Sequence, residues 1–210
     1  DHMITDIVED NEGNIWFACG LDNGVFRFNK KTGEFKNYIN IQEDSTSLSF
    51  SSARTIAIDN EGEVWIGTQY GLNKFNKKDE TFTRYTEKEG LANNFIYGIL
   101  VDENNNLWIS TNNGLSKFDS ENEKFMSFNV NDGLQANEFN GYSYFKSESG
   151  EMFFGGIKGL STFYPKDVET NTFNIPVTID NIINSENEIL DYNNIFLDYR
   201  ENNIQFDFFL

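Results

Sequence analysis

Carboxylates are the catalytic side chains this 210-residue sequence holds in number: 34 Asp and Glu stand beside one histidine, His2, and one cysteine, Cys19. A lone histidine and a lone cysteine leave no Ser-His-Asp or Cys-His arrangement, no His-rich zinc site and no thiolate cluster. Two carboxylates held about 5–9.5 Å apart across a cleft would support glycoside hydrolysis. The acids that recur are Asp10, Asp59 and Asp102. Each stands beside a tight turn, where an Asp side chain accepts backbone N–H bonds, and recurrence in every unit fits structure better than one active site. A calcium reading of DNEG at 10–13 and 59–62 fails on length, since these loops are shorter than the roughly twelve-residue calcium loop. No catalytic residue, metal ligand or cofactor is therefore assigned, and the expectation is a protein that is not an enzyme. A carboxylate-based polysaccharide hydrolase or lyase and a passive protein-interaction scaffold are the alternatives.

The acids belong to a repeated phrase: DNEGNIW at 10–16, DNEGEVW at 59–65 and DENNNLW at 102–108, with a worn copy, ESGEMFF, at 148–154. Trp16, Trp65, Trp108 and Phe153 mark the copies at intervals of 49, 43 and 45 residues, a period at which one small antiparallel sheet is built per repeat. The third unit reads most plainly, as FIYGILVD, LWIST, LSKFD and EKFMSFN separated by polar turns. Short runs rich in β-branched and aromatic residues between Asn, Asp and Gly are strands joined by hairpins. The expectation is all-β: four four-stranded antiparallel propeller blades at about 1–40, 50–86, 93–129 and 139–165, with essentially no helix.

Turn chemistry agrees. Gly13, Gly62 and Gly150 share one hairpin position that needs φ > 0, and Asn105 takes it in the third unit, Asn tolerating the left-handed region best after Gly. A second glycine follows the aromatic by six residues at Gly71, Gly114 and Gly159, while Gly24 follows Trp16 by eight, so the first unit carries a longer loop. Blades arranged radially bury large aromatics between sheets, which accounts for 21 Phe, 9 Tyr and 3 Trp and makes each tryptophan an inter-blade wedge. Cys19 reads as a small buried strand residue.

A formal net charge of −18 without a basic stripe disfavours nucleic acid and anionic lipid as partners. There is no apolar run of about 18 residues to cross a membrane and no signal peptide within these residues. Propeller loops joining second to third strands, and outer strands to the next inner strand, gather on one face around the axis. Asp22, Asn23, Gln69, Tyr70, Asn112, Asn113 and Lys158 come from the first set, and Arg54, Asn94, Tyr97, Asn140 and Tyr142 from the second. Amides, aromatic rings and a few charges around a concavity suit a neutral polar ligand such as an oligosaccharide.

The phrases EDNEGNIWFACGLDNGVFRF, DNEGEVWIGTQYGLNKF and DENNNLWISTNNGLSKF resemble the two-component regulator propeller repeats of extracytoplasmic sensor regions in bacterial transmembrane regulators. The resemblance covers 1–168. IPVTIDNIINSENEI and FLDYRENNIQFDFFL beyond it resemble the opening strands of the triple-tyrosine, immunoglobulin-like domain that follows such propellers, which makes 169–210 a truncated second domain. Pro165 and Pro176 bracket the change of pattern, and Pro165 ends the fourth unit. The resemblance implies a periplasmic or extracellular sensing module of a membrane-anchored regulator, responsive to carbohydrate. It also implies a larger, usually seven-bladed propeller, so that four units close alone or leave an open arc, with pairing of two chains through blade edges or C-terminal strands expected.

Overall fold

A computed structural model describes residues 3–168, 178–183 and 205–209. The chain divides into two compact units, Asp1–Val168 and Glu169–Leu210. His2, Pro176 and much of the sequence quoted for the second domain lie outside the described residues.

The first unit is all-β. Its first blade runs β1 (Ile4–Glu9), β2 (Asn14–Cys19), β3 (Gly24–Asn29) and β4 (Phe35–Tyr38). The second runs β5 (Ala53–Ile58), β6 (Val64–Thr68), β7 (Gly71–Asn76) and β8 (Thr81–Tyr85), and the third β9 (Ile96–Val101), β10 (Leu107–Thr111), β11 (Gly114–Asp119) and β12 (Lys124–Phe128). Each is an antiparallel meander ordered by sequence, and the four sheets together form propeller blades. The fourth departs from expectation. It holds three strands among the described residues, β13 (Phe139–Lys146), β14 (Met152–Gly156) and β15 (Gly159–Phe163), and then turns at Pro165–Asp167 into a short 3₁₀ helix. Proline supplies no N–H for a ladder and suits a helix start, so Pro165 stops the meander before an outer strand. A cleft of about 310 Å³ lined by Trp108, Leu115, Phe128, Leu134, Phe163 and Val168 borders that place.

One hydrogen-bond pattern builds each blade. The Oδ1 of Asp10 accepts from the backbone N–H of Glu12 (3.0 Å) and Asn14 (2.9 Å), while its Oδ2 accepts from the indole Nε1 of Trp16 at 2.8 Å. Asp59 takes the N–H groups of Glu61 and Glu63 and the indole of Trp65 at 2.8 Å. Asp102 takes those of Asn104 and Asn106 and the indole of Trp108 at 3.0 Å. In the fourth blade Ser147 stands in the Asp place and Phe153 in the Trp place, and the Ser147 hydroxyl accepts the Glu151 N–H and shares a bond with the Ser149 hydroxyl, with no indole to receive. Gly13, Gly62, Gly150 and Asn105 all have positive φ at the hairpin tip.

Each tryptophan is about 1% exposed and meets a phenylalanine of the following blade. Ring centroids lie 4.9 Å apart for Trp16 and Phe75, 5.4 Å for Trp65 and Phe118, and 4.8 Å for Trp108 and Phe163. The two ends of the array lack such cover. Phe28 and Phe35 on blade one occupy the register positions of the buried Phe75 and Phe82, yet Phe35 is 62% exposed. Phe153 on blade four pairs in register with Phe145, which is 63% exposed.

In the second unit, β16 (Thr178–Ile183) pairs antiparallel with β17 (Gln205–Phe209), with a register shift between Ile179 and Asn181.

Burial pushes the Asp10 carboxyl up, but the bonds from Trp16, Asn14 and Glu12 outweigh it and hold the pKa below its ordinary value. A folded pKa below the unfolded one gives stability that is present above about pH 4 and lost as pH falls through the folded value. Substituting Asp59→Asn sets an amide NH₂ or a weaker neutral acceptor against the Trp65 indole and is expected to cost about 2–3 kcal/mol. Urea unfolding followed by tryptophan fluorescence should show this loss at pH 7, and Asp10→Asn should flatten the acid limb of the stability curve.

Candidate functional site

Each inner strand carries an irregularity at the same end. The register of β1 shifts between Ile4 and Asp6, that of β5 between Ala53 and Thr55, that of β9 where Ile96 and Gly98 flank Tyr97, and that of β13 between Phe139 and Tyr144. A bulge leaves one residue outside the ladder and re-aims its side chain, and such bulges concentrate beside functional sites. The residues so released are Thr5, Arg54, Tyr97 and the stretch 140–143, which includes Tyr142.

Three of them converge. The guanidinium carbon of Arg54 lies 5.1 Å from the ring centre of Phe95, 5.4 Å from Tyr97 and 6.0 Å from Tyr142, so an arginine of blade two reaches rings of blades three and four. A Cβ added to Gly141 would stand 2.8 Å from Arg54 Nη2, so this glycine leaves the arginine its path. Tyr97 donates its hydroxyl proton to Asn112 Oδ1 at 3.0 Å. Burial first, then the Glu138 carboxylate, raise the Tyr97 pKa, with Arg54 opposing. Tyr142 is 56% exposed and holds φ at 62°, a conformation that costs a non-glycine residue energy and collects at binding sites.

Beneath this group lies a second layer. The Tyr144 ring occupies the space over Gly98, where an added Cβ would come 2.1 Å from its Cδ1. Its hydroxyl lies 3.2 Å from Asp6 Oδ2 and 3.0 Å from Thr55 Oγ1. One phenolic proton serves the carboxylate, leaving the oxygen to accept from Thr55. Asp6 Oδ2 also accepts the Ile56 N–H at 2.9 Å. All four inner strands are thus joined by one tyrosine.

Of the residues singled out by sequence, Arg54, Tyr97, Tyr142 and Asn112 come together; Asn113, next in the chain to Asn112, accepts a 3.4 Å bond from Asn137 Nδ2. Asn94 is tied into its own loop by reciprocal bonds with Glu87. Asn23 donates to the carbonyls of Gly20 and Leu21 within its turn, and Lys158 donates its N–H to Gln135. Among the described residues, Asp22, Gln69, Tyr70, Asn140 and Lys158 show no hydrogen bond or ring contact to the Arg54 group. Sequence reasoning passed over Phe95, Gly141, Asp6, Thr55 and Tyr144. The available signal was Gly98, a glycine within a strand, which marks close approach of another group.

Burial pushes the Cys19 thiol up, as suits an inert buried residue. No group of three or more metal-ligating side chains occurs among the described residues, and no helix there is long and apolar enough to cross a membrane.

Comparison with known proteins adds a resemblance. The two component regulator propeller profile matches residues 1–20, 47–70 and 90–113, about a third of the chain. The unit is a propeller array resembling the extracellular sensor domains of two-component regulators. A stretch of 68 residues is 40% identical to Histidine kinase P4 of Formosa agariphila, covering 31% of this chain and 5% of the kinase. The extracellular domain of a hybrid two component system from B. thetaiotaomicron superposes with a TM-score of 0.72 at 26% identity, over 98% of this chain and 26% of that one. The chain therefore spans a small part of the proteins it matches. Virginiamycin B lyase from Staphylococcus aureus shares the fold, with a TM-score of 0.56 at 17% identity over 75% of this chain and 54% of the lyase. That likeness corrects the expectation that the chain is not an enzyme: the same blades carry catalysis elsewhere, so the fold gives no ground for excluding it.

Burial, opposed by the Thr55 bond and aided by the Asp6 charge, raises the Tyr144 pKa to about 12. A raised folded pKa gives stability that is full below about pH 10 and lost as pH rises through the folded value. Tyr144→Phe should cost about 1–2 kcal/mol at pH 7 and leave a shallower fall in denaturant midpoint between pH 9 and 12. An unchanged alkaline limb would show that the hydroxyl does not tie the inner strands.

Proposed function

We propose that this chain is part of the ligand-sensing, periplasmic or extracellular region of a membrane-anchored bacterial two-component regulator, and that its ligand is a carbohydrate. The observation that carries the reading is the meeting of Arg54, Tyr97, Asn112 and Tyr142 from three blades at one end of the axis. Aromatic faces, a phenol and an amide in one place suit stacking and hydrogen bonding of a sugar ring. The likeness to extracellular domains of two-component proteins supports the location and the signalling role.

Two further parts belong to the reading. Residues 169–210 open a triple-tyrosine, immunoglobulin-like domain, for which the antiparallel pair of β16 and β17 is the supporting fragment. The chain also associates with itself, because among the described residues the Phe28–Phe35 face, the Phe145–Phe153 face and the edge of β15 lack the neighbours that cover their equivalents.

Titration calorimetry against neutral plant and host oligosaccharides is expected to give saturable binding that Tyr97→Ala weakens about tenfold, as loss of a stacking ring does. Absence of binding across the panel would end the carbohydrate reading, and consumption of a bound glycan would assign catalysis to the site. Light scattering should find a dimer that strengthens as salt screens repulsion over a Debye length of about 8 Å near 0.15 M. A strictly monomeric 24.2 kDa particle at every concentration would remove the self-association proposal. A chain ending at Lys166 that still dimerises would place the contact on the blades.

A further inference from the structure

Three arginines are described, and two of them are satisfied. Arg84 donates to the carbonyls of Asp44, Ser47 and Leu48. Arg27 lies 5.7 Å from the ring centre of Trp16, 5.9 Å from Tyr38 and 5.7 Å from Phe75, and its Nη2 pairs with Glu80 Oε1 at 2.6 Å. Arg54 repeats that arrangement with one part missing. It too lies over three rings, Phe95, Tyr97 and Tyr142, but it makes no ion pair or hydrogen bond among the described residues. Its Nε is enclosed without a partner, while its two amino groups stand outside that enclosure.

An enclosed guanidinium N–H without an acceptor is costly, and a chain with 34 acidic residues had ample means to supply one. Glu138 is the carboxylate whose charge reaches the neighbouring Tyr97, and it forms no ion pair with Arg54. Bulges place both Arg54 and Tyr97 where they stand, and Tyr142 holds its ring there at a strained backbone angle. Open amino groups over aromatic faces present a planar fork matched to a carboxylate, beside rings on which a sugar can lie.

We infer that Arg54 binds the carboxylate of an acidic sugar, taking from the ligand what Arg27 takes from Glu80, with Tyr97 and Tyr142 flanking the sugar ring. The inference rests on the carbohydrate reading above and narrows its ligand class to uronate-containing oligosaccharides. The net charge of −18 opposes any anion at long range, so selection falls to this short-range contact.

The test uses the whole 210-residue chain and calorimetry with trisaccharides of galacturonate, glucuronate and mannuronate, each beside its methyl ester. The ester keeps the sugar and removes the charge. At least one free acid is expected to bind about tenfold or more tightly than its ester. Arg54→Gln should abolish that preference, so that acid and ester bind alike, and Arg54→Lys should keep part of it. The acid–ester comparison on the unsubstituted chain stands even where a variant fails to fold. Equal binding of acid and ester, a preference that survives Arg54→Gln, or binding of sulfated oligosaccharides in place of all three uronates would overturn the inference. In those cases binding of neutral or sulfated glycans still sustains the carbohydrate reading, whereas no binding by any glycan, acidic or neutral, overturns both.

Discussion

A buried carboxylate that accepts a buried indole N–H holds each full blade together. Asp10, Asp59 and Asp102 are 6%, 5% and 2% exposed, and a charge so enclosed survives only when hydrogen bonds replace its water. Two backbone N–H groups of the hairpin and the indole six residues on do so. The same bonds close the turn between the first two strands and fix the angle at which the tryptophan leaves the sheet. The fourth unit supplies the control. Where Phe153 brings no N–H, Ser147 brings no carboxylate, because an acid there would lack the donor that makes its burial tolerable.

With the indole fixed, the next blade has a defined surface to pack on. Trp16, Trp65 and Trp108 each meet a phenylalanine of the following unit, so one bond inside a hairpin sets contacts between sheets. Outer strands impose a second constraint. A Cβ at Gly71 would sit 2.6 Å from the Tyr85 carbonyl and one at Gly114 2.3 Å from that of Phe128, so glycine is required by close approach as well as by positive φ. Gly159 keeps the same conformation with nothing within 4 Å among the described residues, in keeping with the three described strands of its blade.

The repeated phrase made the blades legible, since identical turn residues and period-two strands recur within the span that one meander occupies. The left-handed hairpin positions were legible for the same reason, down to Asn105 in place of glycine. The indole partner of each Asp was not. Its backbone bonds follow from turn chemistry, whereas the indole bond depends on how the hairpin folds back over a six-residue separation. That blade four shows three strands among the described residues had only Pro165 to announce it. Among candidate ligand residues, loop position selected Arg54, Tyr97 and Tyr142 along with Asp22, Gln69 and Lys158, and loop position could not separate them. Single-residue bulges separate them, and a bulge leaves no periodic trace. The expectation of no catalysis failed on a different ground: missing histidine and cysteine machinery excludes particular mechanisms, while the propeller hosts enzymes and non-enzymes alike.

The two layers at the bulged end of the axis differ in how far their polar groups are satisfied. The lower one, Tyr144 with Asp6, Thr55 and the Ile56 N–H, joins three inner strands by bonds that are already satisfied and reaches the fourth by packing its ring over Gly98. The upper one draws Arg54 from blade two, Phe95 and Tyr97 from blade three and Tyr142 from blade four, and it is held by ring contacts that leave the guanidinium unbonded. In the sensing role proposed above, a ligand held by the upper layer would load three blades at once. Packed sheets respond to such a load by shifting relative to one another, because the interior of each is too dense to deform. The lower layer would oppose that shift at one shared hydroxyl, so in the proposed role any coupling between ligand and blade spacing would pass through the residues that tie the inner strands together.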